Sequence, residues 1–207
     1  MNAERLKSPT GTSIAGPLLI TPRVFGDERG FFFESWNHRT FAAALEADGQ
    51  SAPDFVQDNH SRSSQGVLRG LHYQLPPHPQ AKLVRCVQGE IFDVAVDLRR
   101  GSATFGQWVG ARLSAANHQQ LWVPVGFAHG FLTLSEHAEV LYKTTDFWSR
   151  DCERAIRCND PQLAIAWPSL TGVAASQAPL LSDKDAAAPA LAGLSDADLP
   201  DWAVQPQ

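Results

Sequence analysis

Arg69 and His72 are the first residues whose types and spacing could do chemistry. They stand three positions apart around Gly70 in the segment VLRGLHYQ, so in an unbroken strand their side chains would point to opposite faces. A bulge at the glycine would bring them to one side, and strand glycines often mark bulges near active sites. Histidine is a natural proton acceptor near neutral pH. The alternative interpretation is an exposed arginine beside a histidine that is satisfied in the core.

Two further segments each hold one side chain that could act on a ligand. His129 lies between small residues in PVGFAHGF, which would let a ligand come close to the backbone, although this histidine could equally cap a carbonyl of the turn. Tyr142 is one of only two tyrosines and lies in LYKTTDFW, within an apparent strand. A buried phenol needs a hydrogen-bond partner and can be purely structural. It can also act as a general acid.

Basic and amide side chains are scattered along the chain, and singly they indicate no more than a solvated surface. Brought to one face of the fold, they would form a diphosphate site, because arginine can hold phosphate oxygens through two hydrogen bonds. The candidates are Arg29, Gln57, Asn59, Arg69, Lys82 and Lys184.

The two candidate histidines also raise the question of a metal. A metal site in a β-barrel needs three or four converging ligands. Gln74 occupies the position where a second histidine beside His72 would be needed, and no other histidine spacing indicates a ligand set. We therefore expect neither a metal nor another cofactor.

The composition is that of a water-soluble domain with a hydrophobic core. The chain has 207 residues, of which 43% are hydrophobic, and a formal net charge of −5, which excludes a wholly disordered chain. No basic run or face indicates a nucleic-acid partner, and no apolar run approaches the ~20 residues of a membrane span. The cysteines (Cys86, Cys152 and Cys158) show no Cys-x-x-Cys spacing. We expect a cytoplasmic protein with reduced thiols.

The elements that must position these residues are mostly strands. Residues 37–47 form the one clear helix, with Asn37 as N-cap and Gly49 after its end. The run RGFFFESW, residues 29–36, is strongly β-prone, and a first strand is expected at 17–20. Strand 91–98 alternates apolar residues with a face that carries Asp93 and Asp97. The other candidate strands are 55–59, 67–74, 82–87, 107–113, 120–123, 130–134 and 140–145.

Short strands at near-regular spacing predict an all-β sandwich or barrel with little helix. Residues 1–16 are polar and small and are expected to be a leader. The main domain is expected to span residues 17–185. Residues 186–207 are rich in Ala and Pro and are expected to form a partly ordered tail.

Long segments of the chain resemble one enzyme family, the dTDP-4-dehydrorhamnose 3,5-epimerases, from about residue 21 to residue 185. The resemblance is carried by FGDERGFFFESWN, FVQDNHSRSSQGVLRGLHYQ, KLVRCVQGEIFDVAVDLRRGSATFGQWVG, LWVPVGFAHGFLTLSE and LYKTTDFW. It implies a homodimeric cupin-type jelly roll that works without metal. It also implies inversion of C3 and C5 of dTDP-4-dehydro-6-deoxy-D-glucose through an enolate, in dTDP-L-rhamnose biosynthesis.

The resemblance assigns roles to particular residues. His72 matches the general base, and Asp185 matches the carboxylate that pairs with it. Tyr142 matches the general acid, and Lys82 would stabilise the enolate oxygen. The positions that match the family's substrate-binding residues are Arg29, Glu34, Gln57, Asn59, Arg69, Lys82, His129, Phe147, Glu153 and Lys184.

Three of these positions have further implications. Arg29 and Glu34 would come from an N-terminal strand exchanged with the partner subunit, so the dimer would be needed for a complete site. Phe147 stands where the family usually has a tyrosine that stacks on thymine, and a phenyl ring would keep the stacking but lose any hydroxyl contact.

The chain departs from the family pattern in two places. Residues 148–153 lack the proline that the family has after the strand, and the matching of Glu153 to a family position depends on this segment. The loop between Trp167 and Lys184 is longer than usual, and the matching of Asp185 depends on that loop.

Two alternatives of function stay open at this point. One is an epimerase of a dTDP-4-keto-6-deoxysugar that inverts C3 alone, since the same base and acid would serve it. The other is a non-catalytic cupin that binds a nucleotide sugar, which the presence of both His72 and Tyr142 disfavours. Gln74 disfavours a metal-dependent cupin enzyme.

Overall fold

A computed structural model describes residues 1–170 and 178–201 of the chain. Within these residues the helices are α1 (His38–Ala47) and α2 (Asp183–Ala186), with short 3-10 turns at Leu191–Gly193 and Asp196–Asp198. The strands are β1 (Asn2–Lys7), β2 (Ser13–Thr21), β3 (Phe25–Asp27), β4 (Gly30–Phe32), β5 (Gln57–Ser64), β6 (Leu68–Gln74), β7 (Lys82–Gln88), β8 (Glu90–Asp97), β9 (Trp108–Ser114), β10 (Gln120–Val123), β11 (Phe127–Thr133), β12 (His137–Thr144) and β13 (Glu153–Ala155).

The strands form two facing antiparallel sheets. One has the order β1-β2-β10-β7-β12-β5 and the other the order β13-β6-β11-β8-β9, while β3 and β4 form a separate hairpin. Apolar side chains from both sheets meet between them, among them Val84 and Leu121 from the first sheet and Ala95 and Phe131 from the second. Burying these surfaces is the main term that holds the sheets together. The predicted all-β fold, a cupin-type jelly roll with short helices, is confirmed.

The predicted helix and the strands between residues 55 and 145 are confirmed, with ends that differ by a few residues. Asn37 caps α1, because its side chain accepts hydrogen bonds from the backbone N–H groups of Arg39 and Thr40. Gly49 follows the helix with a φ of +79°.

The N-terminal prediction is wrong in one respect, since the chain enters the sheet well before residue 17. β1 pairs with β2 in a register that joins Asn2 to Thr21 and Arg5 to Leu18. β1 is an edge strand, so its charged residues stay in solvent while Ala3 and Leu6 pack on the core. An edge strand of this kind carries little hydrophobic signal.

The β-prone run at residues 29–36 also differs from expectation. Only Gly30–Phe32 is a strand, paired with β3 in the small hairpin. Its phenylalanines are exposed, with 64% of Phe31 and 69% of Phe32 accessible to solvent.

The C-terminal residues run along the domain as far as residue 201. Leu191, Leu194 and Leu199 pack against the second sheet, and the Arg100 guanidinium donates to the carboxylate of Asp201. Within the described residues, no helix is long and apolar enough to cross a membrane.

Candidate active site

A cavity of about 400 Å³ opens between the two sheets and gathers all four predicted catalytic side chains. It adjoins a smaller chamber of about 120 Å³. The cavity is lined by Ser61, Val67, Leu68, Arg69, His72, Lys82, His129, Phe131, Tyr142, Leu180, Leu181, Ser182 and Asp185. The chamber is lined by Gln57, Asn59, His72, Tyr73, Gln74, Gln80, Lys82, Tyr142, Trp148 and Glu153. His72, Lys82 and Tyr142 line both spaces.

The irregularity expected at Gly70 is present and brings Arg69 and His72 to the same cavity. His129 of β11 pairs with His72, but Phe131 pairs with Arg69, so β6 carries one residue more than β11 over this stretch. Gly70 has a φ of +107°, and a Cβ atom there would lie 2.6 Å from the carbonyl oxygen of His129. Only glycine fits this close approach.

His72 is held by a buried carboxylate. Its Nε2 atom lies 2.6 Å from Oδ1 of Asp185, whose side chain is 6% exposed. Asp185 lies in α2, and Ser182 at the N-cap donates from Oγ to Oδ2 of Asp185 at 2.9 Å. A carboxylate accepts the Nε2 proton of a neutral histidine, which leaves Nδ1 as the basic nitrogen.

The surroundings keep Asp185 ionised. Burial alone would raise the pKa of this carboxyl group, but the hydrogen bond and charge of His72 together with the Ser182 hydroxyl lower it below its ordinary value. The group is therefore a carboxylate at neutral pH and can stabilise a protonated His72.

Lys82 is buried at the start of β7, and its Nζ atom donates to the backbone oxygen of His72 at 3.3 Å. Burial lowers the pKa of Lys82 to about 8, although the charges of Asp93 and Glu153 oppose this shift. At neutral pH the ammonium form therefore dominates, and it provides a positive charge inside the cavity.

Tyr142 lies in β12 and is half-buried. Burial raises the pKa of its phenol, with Arg69 opposing the change and Glu153 adding to it. The phenol therefore keeps its proton at neutral pH, as a proton donor must.

A second histidine–carboxylate pair lies in the second sheet. His129 Nε2 is 2.7 Å from Oδ1 of Asp93, and their side chains are 7% and 0% exposed. The other carboxylate oxygen of Asp93 has no hydrogen-bond partner among the described residues. Asp93 is not among the site residues that the sequence indicates. The feature of the sequence that could have indicated Asp93 is a carboxylate among small residues on one face of the strand at 91–98.

The smaller chamber holds several of the predicted binding residues. Gln57 Nε2 donates to Asn59 Oδ1 at 2.9 Å. Glu153 in β13 pairs with Lys184 at 2.5 Å. Burial would raise the pKa of Glu153, but the bond and charge of Lys184 lower it. Lys184 itself is largely exposed and does not line either space.

Besides Lys184, three more predicted binding residues lie outside both spaces in this chain. Arg29 is exposed in the turn of the β3–β4 hairpin, where it pairs with Asp27. Glu34 accepts a hydrogen bond from Asn37 Nδ2 at 3.1 Å. Phe147 is 62% exposed in the turn after β12, next to Trp148 at the smaller chamber.

Gln74, the residue that argued against a metal, is buried and hydrogen-bonded to backbone groups on two loops. Among residues 1–170 and 178–201, no group of three or more His, Cys, Asp or Glu side chains is placed to hold a metal ion. The long loop after Trp167 includes residues 171–177, which lie outside the described residues.

A slightly larger cavity, of about 460 Å³, lies elsewhere, near the end of α1 and the turn after β10. Its walls include Trp122, Pro124 and Asp54, and its described lining contains no histidine, lysine or tyrosine. The predicted proton-transfer residues line the cavity with His72 and not this one.

The chain is similar to known proteins of one enzyme family. A sequence profile of the family described as dTDP-4-dehydrorhamnose 3,5-epimerase matches residues 11–193. A relative of that name from Pseudomonas aeruginosa is 62% identical over 176 residues, which make up 85% of this chain and 91% of the relative. The relative from Salmonella typhimurium is 57% identical over 180 residues, covering 87% of this chain and 93% of its own length.

Solved structures show the same fold. A dTDP-6-deoxy-D-glucose-3,5-epimerase from Legionella pneumophila, in complex with dTDP-4-keto-L-rhamnose, is similar with a TM-score of 0.84 and 46% identity, covering 97% of this chain and 99% of that one. A 3'-monoepimerase from Streptomyces bikiniensis, in complex with dTDP-quinovose, is similar with a TM-score of 0.79 and 34% identity, covering 90% of each chain. From the extent of these matches, the chain belongs to the dTDP-4-dehydrorhamnose 3,5-epimerase family.

Proposed function

We propose that this chain epimerises C3 and C5 of dTDP-4-dehydro-6-deoxy-D-glucose to give dTDP-4-dehydro-L-rhamnose, in dTDP-L-rhamnose biosynthesis. The observation that carries the proposal is a single cavity lined by a histidine–carboxylate pair, a protonated phenol and a buried lysine. These groups are what proton removal and return beside a ketone require.

The chemistry follows from the C4 ketone, which acidifies the hydrogens on C3 and C5. His72 removes the C3 proton, the electron pair of the C–H bond forms a double bond between C3 and C4, and the π pair of the C4 carbonyl moves to its oxygen, which gives an enolate. Asp185 stabilises the imidazolium that forms. The Lys82 ammonium stabilises the enolate oxygen, and one well-placed donor of this kind contributes about 3–4 kcal/mol.

Inversion needs the proton to return on the opposite face. Tyr142 donates its phenolic proton to the carbon as the enolate collapses back to the ketone, and solvent then restores both residues. The same steps at C5 complete the double inversion. Each positioned proton-transfer group contributes roughly 10²–10⁴-fold to the rate.

The part of the substrate that each binding residue would contact depends on whether the residue lines the cavity or the smaller chamber. Arg69 and His129 would contact the sugar and phosphate region in the cavity, while Gln57, Asn59 and Glu153 would hold the substrate in the smaller chamber, with Lys184 at its rim. Phe147 would stack on the nucleobase. In proteins that bind single-stranded nucleic acids, stacking of one base on an aromatic side chain contributes about 1–3 kcal/mol.

A homodimer with an exchanged N-terminal segment would account for Arg29 and Glu34, which lie away from the cavity of their own chain. The β3–β4 hairpin exposes Phe25, Phe31 and Phe32, and exposed apolar patches of this kind mark interaction surfaces. Arg29 of the partner subunit would then reach the diphosphate. The proposed location is the cytoplasm.

The second candidate is inversion of C3 alone. Its support is the similarity to the 3'-monoepimerase from Streptomyces bikiniensis, since one fold hosts both outcomes. The higher identity of the 3,5-epimerases favours the double inversion.

Proton NMR of dTDP-4-dehydro-6-deoxyglucose in D₂O with catalytic amounts of enzyme, with and without EDTA, tests the proposal. Deuterium entering at both C3 and C5 at equal rates with and without chelator is the expected result. Exchange at C3 alone would select the second candidate. Exchange at neither carbon would overturn the enzymatic assignment in favour of a binding protein, and loss of exchange with EDTA would overturn the metal-free mechanism.

A further inference from the structure

Two exposed aromatic side chains follow each other in the chain beside the smaller chamber, which Trp148 lines and Phe147 does not. Phe147 is 62% and Trp148 is 57% exposed, and both lie in the turn that follows β12. The Trp148 side chain hydrogen-bonds to Glu153, but the phenyl ring of Phe147 has no polar atom, so its position depends on how the backbone beneath it is held.

Gln74 holds that backbone from inside the protein. Its side chain is 5% exposed at the end of β6. Its Nε2 atom donates to the carbonyl oxygen of Phe147 at 3.2 Å, and its Oε1 atom accepts from the backbone N–H of Ser149 at 2.8 Å. One amide therefore binds the chain on both sides of Trp148.

The same amide also ties this turn to a second loop. Nε2 donates to the carbonyl oxygen of His78 at 2.5 Å, in the connection between β6 and β7. Both donors and one acceptor of Gln74 are thus in use. An apolar side chain at this position would remove all three of these hydrogen bonds to the backbone of the two loops.

The other hydrogen bonds of the turn do not replace this support. Gln80 Nε2 and Thr144 Oγ1 both donate to the carbonyl oxygen of Asp146, before the aromatic pair begins. Gln57, which lies in the sheet opposite to that of Gln74, accepts at Oε1 from the backbone N–H of Trp148 at 3.3 Å. Among these contacts, only Gln74 bonds to the backbone of both Phe147 and Ser149.

We propose that Gln74 is a positioning residue that sets the affinity for the nucleoside part of the substrate by fixing the turn that carries Phe147 and Trp148. This inference rests on the proposed function, in which Phe147 stacks on the base. Holding the turn in its bound shape beforehand lowers the ordering cost of binding. His72 lies two positions away on the same strand, but the Gln74 amide bonds only to backbone groups of the two loops, so we expect the proton-transfer step to be unchanged.

The test is Gln74→Met, which keeps the length of the side chain and removes its hydrogen bonds. We expect KM for the nucleotide sugar and Kd for dTDP to rise about tenfold, which is 1.4 kcal/mol, with kcat within threefold of the parent. Kd for inorganic pyrophosphate, which lacks the base, should stay within twofold. An unchanged Kd for dTDP, or an equal rise for pyrophosphate, would overturn the inference.

The matched control is Gln65→Leu. Gln65 is also a glutamine whose Nε2 atom donates to a loop carbonyl, that of Leu134 at 2.8 Å, but it lies in the turn between β5 and β6. This variant should keep the KM and kcat of the parent, and a tenfold rise in its KM would count against a specific role of Gln74.

If Gln74→Met does not fold, Gln74→Glu takes its place, and the same changes in KM, kcat and Kd are expected. Glutamate keeps the acceptor for the Ser149 N–H but loses both donors.

A double-mutant cycle with Phe147→Leu shows whether Gln74 acts through the aromatic ring. If it does, Gln74→Met changes Kd for dTDP by less than threefold once Phe147 is replaced, while full additivity would contradict the inference. The failure of the proposed function has a different signature. A parent protein that binds dTDP but exchanges no deuterium would refute epimerisation and still leave Gln74 to be judged by the dTDP affinities.

Discussion

Replacing Asp185 by asparagine is the sharpest test of the histidine–carboxylate pair. The two side chains are nearly isosteric, and the backbone N–H of residue 185 still bonds to Ser182 at the helix N-cap. The substitution removes the negative charge 2.6 Å from Nε2 of His72. It also places either an amide N–H or a neutral oxygen against that nitrogen.

The magnitude follows from the contact that is lost. A buried hydrogen bond to a charged group contributes about 1.5–3 kcal/mol, or roughly 10- to 150-fold in rate. An amide that donates to Nε2 would also force the proton onto Nδ1, which is the nitrogen that has to accept the substrate proton. In a serine protease the equivalent change lowers kcat about 10⁴-fold, so we expect a loss between 10² and 10⁴ here.

The assay is the initial rate of deuterium entry at C3, followed by proton NMR beside steady-state kcat. Both should fall together, because His72 performs the step that they share. Asp183→Asn is the matched control, since Asp183 is an exposed carboxylate in the first turn of the same helix and should leave the rate unchanged. An exchange rate within threefold of the parent for Asp185→Asn, or an equal loss for Asp183→Asn, would refute the role of the pair.

Three other changes test the remaining parts of the site. Tyr142→Phe should keep deuterium entry at C3 and lower the rate of inversion by about 10²–10³-fold; normal inversion would remove Tyr142 from the acid role. Lys82→Met should lower kcat by about 10²–10³-fold, the rate equivalent of about 3–4 kcal/mol for one oxyanion donor. In the parent enzyme, the pKa of Lys82 near 8 predicts that kcat falls as pH rises through about 8, since the ammonium is lost; a rate that stays flat to pH 10 would exclude an essential charge. Phe31→Glu with Phe32→Glu should convert a dimer to a monomer in analytical ultracentrifugation and lower activity, because the site would lose the partner's hairpin; a variant that stays dimeric and active would contradict the proposed interface.

The local pattern of the chain was enough to predict the strand framework and the helix. Asn37 and Gly49 mark the ends of α1 through capping, which depends on neighbouring backbone groups alone. The bulge at Gly70 could also be expected, because a glycine inside a β-prone segment is a local signal. Edge strand β1 was missed, since its charged residues face solvent on a strand paired on one side only.

The partners of the catalytic groups depended on the fold. His72 and Asp185 are 113 positions apart, and His129 and Asp93 are 36 apart, so no spacing rule joins them. The family resemblance supplied the first pair, while the second pair became visible only when β8 and β11 lay side by side. In the sequence, Gln74 indicates only that a metal-binding histidine is missing. The hydrogen bonds of its amide become visible only in the folded structure, where two loops pack around it.

The sequence by itself therefore determined which residues could transfer protons and which strands would carry them, because residue type and alternation are local properties. The tertiary structure alone decided the lowered pKa of Lys82, the ionised state of Asp185 and the exposure of the β3–β4 hairpin. These depend on burial and on charges contributed by distant segments, since desolvation and electrostatic interaction act through space and not along the chain.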